Sequence, residues 1–132
     1  MLIPALPRFV QHPPVSVDLL TSLSPPAPED AFDVLLTRDL ALPDEAHWQL
    51  AQETLVCVAA PSVHARCAAS GIAEWSFISA KSRPEVLVDW VHAQGLDASL
   101  IRVGAAFEHY YLAVSAAIGG MGYLVAPRLL VA

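Results

Sequence analysis

Positive charge is scarce in this chain. Of its 132 residues only seven are Lys or Arg, against 13 Asp and Glu, giving a formal net charge of −6. Gripping a nucleic-acid backbone requires clustered cations. The seven here are scattered, so the chain is not expected to bind DNA or RNA by itself. Cysteine is nearly as rare. Cys57 and Cys67 stand too far apart for a C-x-x-C site, and neither sits in a His/Cys cluster of metal-ligand spacing. They read as two reduced, largely buried thiols. His12, His47, His64, His92 and His109 form no metal motif either. With no G-x-S-x-G, H-E-x-x-H or Cys/His arrangement, the expectation is no enzyme, no catalytic residue, no metal and no cofactor. Long unbroken apolar runs are missing as well. The longest uncharged stretch, between His109 and Arg128, holds three glycines and Pro127, whereas a spanning helix needs about 20 predominantly apolar residues. No membrane span is expected. The start, MLIPALPRFV, lacks the basic end and long apolar core of a secretion signal, so a cytoplasmic location is expected.

What the chain has is apolar surface to bury: 55% of residues are hydrophobic and 15% charged. That suits one domain or two small lobes with a real core. Leu2, Ile3, Leu6, Phe9 and Val10 fall on one face of a helix that starts late or kinks at Pro7. After Pro13-Pro14, Val15, Val17 and Leu19 alternate with polar residues as a strand would. Ser24 to Asp30 is a proline-broken loop, and Phe32 to Leu36 reads as a short strand ending in Thr37 and Arg38. Thr54 to Pro61 is a continuous apolar run suited to a strand buried on both faces. Trp75 to Ala80 and Ser99 to Val103 are further strands. Ser82-Arg83-Pro84-Glu85 has capping-box spacing and opens a helix that carries Leu87, Trp90 and Val91 and ends near Gly95. A last full helix runs from Glu108 to Ile118. Helix and strand in alternation indicate an α/β architecture with largely parallel sheets.

The segment AIGGMGYLVAP, Ala117 to Pro127, packs Gly119, Gly120 and Gly122 into four positions. Each weakens a helix by roughly 1 kcal/mol relative to alanine. A phosphate loop is excluded by order, because such loops follow a strand and open a helix, and GGMG does the reverse. The glycines instead end a helix where positive φ is needed and turn the chain into a strand from Tyr123 to Val125. Pro127 then opens the next helix.

LIPALPRF (Leu2 to Phe9), AFDVLLTR (Ala31 to Arg38), ETLVCVAAPS (Glu53 to Ser62) and AAIGGMGYLVAP (Ala116 to Pro127) occur in one order and register across nearly the whole chain. This pattern resembles the effector-binding domain of LysR-type transcriptional regulators of bacteria. The resemblance implies a two-lobed periplasmic-binding-protein-like (type 2) fold, with two crossing strands joining the lobes and a small molecule in the cleft. The family's winged helix-turn-helix, its linker helix and the first strand of the first lobe have no counterpart here, and the chain stops just after Pro127. The first lobe, 1–53 with 125–132, is therefore expected to be incomplete and the second, 54–124, whole. The implied function is ligand sensing, with DNA bound only through a separate winged helix-turn-helix domain. Alternatives are a solute receptor of similar fold and a DNA-free truncated regulator that acts by dimerising.

By the same resemblance the effector contacts are Ser24, Thr37 and Arg38 in the first lobe. In the second they are Ser79, Lys81, Ser82 and Arg83, with Phe107 and His109 near the cleft. Hydroxyls and a guanidinium at a helix start suit a carboxylate or similar anion. Ser82 can equally be a plain helix cap, Arg38 and Lys81 solvated charges, and Arg83 a partner of Glu85. Glu108, His109 and Tyr110 lack the nucleophile that acid–base catalysis requires, so they line a pocket or pack. Leu2, Leu6 and Phe9 are expected to form the interface of a homodimer or higher oligomer.

Overall fold

A computed structural model of the chain describes residues 3–10, 15–22, 24, 26–27, 29–38 and 47–131. Leu2, the Pro13-Pro14 turn and part of the Ser24–Asp30 loop lie outside them. The chain divides into two compact units, Met1–Ala51 and Gln52–Ala132.

In the first unit a 3₁₀ turn, Ile3–Ala5, runs into α1, Leu6–Phe9. Pro7 sits in the first turn, where its missing N–H costs little. Among the described residues from 15 to 51 there is no strand or further helix. The expected strands Val15–Leu19 and Phe32–Leu36 are therefore corrected. Leu19 is 42% and Val34 78% exposed. Alternation marks which face a strand would bury but supplies no ladder partner, and two short strands alone are marginal in water. Local bonds dominate instead: the Ser22 hydroxyl donates to the Ser24 carbonyl, and the Ala27 N–H donates to Asp30 Oδ2.

The second unit is a four-stranded sheet covered on both faces. Its strands are β1, Leu55–Val58; β2, Ser76–Ala80; β3, Arg102–Phe107; and β4, Tyr123–Pro127, in the order β1-β4-β2-β3. The helices are α2, Pro61–Cys67; α3, Glu85–Ala93; α4, Tyr110–Ile118; and α5, Arg128–Val131. β2 pairs in parallel with both β3 and β4, whereas β1 pairs antiparallel with β4. The crossover through α3 steps outward from β2 to β3, and the one through α4 steps back past β2 to β4. Right-handed connections running in opposite directions place their helices on opposite faces.

Alternation along the strands feeds the two cores. Phe77, Tyr123 and Val125 face α2 and α3 through Val63, Val86, Leu87 and Val91. Ile78, Ala80, Leu124 and Ala126 meet Ala113, Ala116 and Ala117 of α4. Phe77, Ile78 and Leu124 are at most 1% exposed, and each such side chain contributes about 1.5–3 kcal/mol by leaving water.

Several boundaries differ from the sequence expectation. β1 is a half-buried edge strand, and Pro61 opens α2 instead of closing a strand. The strand expected at Ser99–Val103 starts at Arg102, after a 3₁₀ turn at Ala98–Leu100 that the Asp97 side chain caps. α4 begins at Tyr110, with His109 as its N-cap residue. The capping box does not form: α3 starts at Glu85, its N-cap residue is Pro84, and no side chain caps it. The Arg83 N–H instead closes a turn on the Ala80 carbonyl, which holds Ser82 outside the helix.

The glycine cluster resolves into three roles. Gly119 keeps helical geometry, and Gly120 takes φ +83°. The Gly120 and Met121 N–H groups bond back to Ala117 and Ala116, the double closure that needs a left-handed residue. Gly122 passes so near β2 that a Cβ would collide with the Ser76 carbonyl oxygen. Pro127 ends β4, opposite Leu55, and α5 follows at once.

Candidate functional site

Parallel strands leave their C-terminal ends on one edge of the sheet, and β2 and β3 are extended there beyond their last residues. The Lys81 N–H donates to the Phe107 carbonyl (2.8 Å), and the Ser82 N–H donates to the Glu108 carbonyl (3.1 Å). Two loops, Lys81–Pro84 and Glu108–His109, are thereby zipped side by side, and α3 and α4 start from them. Ser79, Lys81, Ser82, Arg83, Phe107 and His109 all lie on this edge. Ser24, Thr37 and Arg38 belong to the first unit. There Thr37 and Arg38 end no strand, all three are exposed, and the Thr37 hydroxyl donates to the Arg38 carbonyl.

The cations of this edge are matched by carboxylates. Lys81 Nζ lies 2.5 Å from Glu108 Oε1, with both side chains more than 60% exposed. That ammonium, through its hydrogen bond and then its charge, holds the Glu108 carboxyl below the usual range. Arg83 is held more deeply. Its Nη1 donates to Glu53 Oε1 (2.8 Å) and its Nη2 to Glu53 Oε2 (2.6 Å), a fork-on-fork pair. Its Nε lies 3.5 Å from Glu85 Oε1, so the expected Glu85 partner is present but secondary. The Glu53 hydrogen bond raises the guanidinium pKa further, against the opposing effect of burial.

Arg83 also lies over the Tyr110 ring, 5.8 Å from its centroid. The Tyr110 hydroxyl donates to the Val125 carbonyl at 2.7 Å, which ties the arrangement to β4. A void of about 10 Å³, lined in part by Ser79, Arg83 and Tyr110, lies beneath and can take one water. The His109 and Tyr111 rings stack 5.8 Å apart on the outer side.

Glu53 was not readable as a site residue, because it is 30 positions from Arg83 and no local spacing links them. Tyr110 carried a signal, an aromatic at a helix start, but not its role as the seat for Arg83. A second depression, of about 400 Å³, lies between β1, α4 and α5. All its lining residues, Val58, Val114 and Ile118 among them, have apolar side chains, so it suits hydrocarbon and offers only backbone polar groups. Among the described residues there is no group of three or more His, Cys, Asp or Glu that could hold a metal ion. Nor is any helix there long and apolar enough to cross a membrane.

A sheet with hydroxyls, cations and two helix starts converging at the carboxyl ends of parallel strands defines a class, the α/β domains that receive small molecules at that edge. Residues 1–132 match the family described as LysR substrate binding domain, and the chain belongs to that family. It is also similar to the HTH-type transcriptional regulator TrpI of Pseudomonas aeruginosa, with 35% identity over 83 residues. That match covers 63% of this chain and 25% of the regulator, so the chain spans about a quarter of that relative's length. No solved structure matches it.

Proposed function

We propose that this chain is the ligand-sensing part of a cytoplasmic LysR-type transcriptional regulator. On this reading a small anionic effector is received between two lobes, 1–53 with 125–132 and 54–124, and DNA is bound only through a separate winged helix-turn-helix domain. Ser79, Lys81, Ser82, Arg83, Phe107 and His109 serve the effector from one lobe, and Ser24, Thr37 and Arg38 from the other.

The observation that carries the reading is the zipped edge of β2 and β3, which brings five donors and an aromatic from separate segments to one place. The β1–β4 pair adds support. Leu55 lies opposite Pro127 in an antiparallel register, so the chain enters and leaves this sheet at the same end, as two crossing strands require. The regulator named TrpI among its relatives favours a regulatory role over a transport receptor.

The test is a thermal-shift screen of the 132-residue chain against aliphatic and aromatic acids, amino acids and sugars. A ligand at a hundred times its dissociation constant adds roughly 2.7 kcal/mol to stability. An acid that raises the midpoint in the parent chain, and does so less in Arg38→Ala and Ser82→Ala, supports the reading. A screen in which no compound of any class shifts the midpoint rejects it.

Self-association belongs to the same proposal. Ile3 and Phe9 are 66% and 61% exposed, and such an apolar stripe is most simply covered by a second copy. Light scattering of the parent chain should give a dimer or larger, and Leu6→Glu with Phe9→Glu should give a monomer with the sheet still folded. A parent chain that is monomeric at micromolar concentration rejects the interface at Leu2, Leu6 and Phe9.

A further inference from the structure

We infer that Glu53 is a resident carboxylate that occupies Arg83 in place of a ligand and so sets the affinity of the Lys81–Pro84 loop for anions. The inference rests on the effector reading above and adds to it a residue outside the expected contacts.

Glu53 engages both terminal nitrogens of the guanidinium with both its oxygens, the geometry an incoming carboxylate would use. Glu85 faces the remaining nitrogen, so Arg83 carries two carboxylates for one positive charge. A third anion approaching this group finds both terminal nitrogens already engaged, and takes the same fork only if a carboxylate gives it up. Glu85 faces only Nε, at 3.5 Å, so its departure would leave both terminal nitrogens occupied. Glu53 holds those two nitrogens from residues 52–54, which have no regular structure. It is the one that must leave for an anion to take the fork.

Arg83 keeps its place when that happens. It rests on the Tyr110 ring, which is anchored to the Val125 carbonyl in β4, and its own N–H is closed on Ala80. Displacement therefore frees the Glu53 side rather than the loop. Glu53 stands two residues beyond Ala51, the end of the first compact unit, and two before β1. Thr54 stays tethered by the Arg128 N–H (2.8 Å). The freed stretch is thus short, and it is the stretch that leads from residues 1–51 into the sheet. An anion at the loop and the carboxylate on that stretch compete for one cation, so each weakens the other by the same factor.

The experiment uses the full chain with benzoate as the probe anion and benzamide as its uncharged counterpart, followed by NMR through the Arg83 Nε–H signal and the Lys81 and Ser82 amides. Glu53→Gln, which keeps the shape and removes the charge, should bind benzoate at least tenfold more tightly than the parent chain, with benzamide unaffected. The Arg83 signal should move on binding, and Arg83→Gln added to Glu53→Gln should abolish the gain. Glu53→Asp, which keeps the charge and shortens the reach, should fall between, and it replaces the first variant should that one fail to fold. Benzoate that shifts Lys81 and Ser82 with equal affinity in the parent chain and the variants overturns the role of Glu53 while leaving the effector reading intact. Benzoate that binds none of the chains overturns the inference too, since Arg83 released from Glu53 would then take no anion. The effector reading is decided separately by the ligand screen.

Discussion

Substituting alanine for each of Gly119, Gly120 and Gly122 in turn should give three different results, although the three lie within four positions. Gly119 has φ −69°, and a Cβ there meets the Ser115 and Ala116 carbonyl oxygens at 3.4 and 3.5 Å, ordinary contact. Its replacement restricts the unfolded chain without straining the folded one, so Gly119→Ala should be neutral or stabilise by about 0.4–1 kcal/mol. Gly120 has space for a Cβ, with nothing nearer than 3.7 Å, but its φ of +83° is unfavourable for any L side chain. Gly120→Ala should cost about 1–2 kcal/mol from the backbone alone. At Gly122 the obstacle is the Ser76 carbonyl, a backbone atom of β2 that cannot swing aside, and Ile78 stands 3.5 Å behind it. The β2–β4 ladder would have to part at Phe77–Tyr123, and about 3 kcal/mol is the expected cost of such overpacking. Urea unfolding read by near-ultraviolet circular dichroism is suitable, because the Trp75 and Tyr123 rings stack at 4.1 Å beside the affected register. Gly122→Ala proving no worse than Gly119→Ala would refute the close-approach reasoning.

Three further outcomes follow from single groups. Burial pushes the Cys57 thiol from 9.0 up to about 11, so near pH 8 its thiolate fraction, and with it alkylation by iodoacetamide, should fall about 100-fold below that of the unfolded chain. Because the neutral thiol is the favoured folded form, stability from this group is full below pH 9 and is lost as pH rises towards 11; Cys57→Val should flatten that part of an unfolding profile. Tyr110→Phe removes the hydroxyl that bonds the Val125 carbonyl and should destabilise by about 1–2 kcal/mol in urea unfolding. Lys81→Met should let the Glu108 carboxyl rise towards its ordinary range in an NMR titration, with the unfolding midpoint unchanged, because the pair is exposed.

Much of the second unit was legible because its central strands, β2 and β4, are largely apolar. Trp75–Ala80 and Tyr123–Val125 stand out from the polar residues around them, and the observed β2 and β4 are the buried centre of the sheet. Gly95 and Gly120 marked the ends of α3 and α4 through the one property only glycine supplies freely. α2 gave no comparable signal: Val63 is its only buried residue, and Ser62, His64, Ala65 and Arg66 face water. The runs at Val15–Leu19 and Phe32–Leu36 show the opposite failure. Their pattern suits a strand, yet pairing is a property of two segments and is not written in either one.

The chemistry of the site was harder to read for the same reason. Lys81 and Arg83 look like free donors in sequence, and their nearest acidic neighbour is Glu85. In the fold their main partners come from 27 and 30 positions away, Glu108 through the zipped strand ends and Glu53 through the entry to β1. The two pairs also differ in kind. The exposed single contact of Lys81 is weakened by water and salt and yields easily to another anion. The bidentate contact of Arg83, with its guanidinium side chain 19% exposed, holds one geometry and resists exchange. A carboxylate ligand arriving at this edge therefore meets Lys81 first, and reaches Arg83 only by working against Glu53. The affinity of the edge is thus set less by how many cations it carries than by how firmly its own carboxylates hold them.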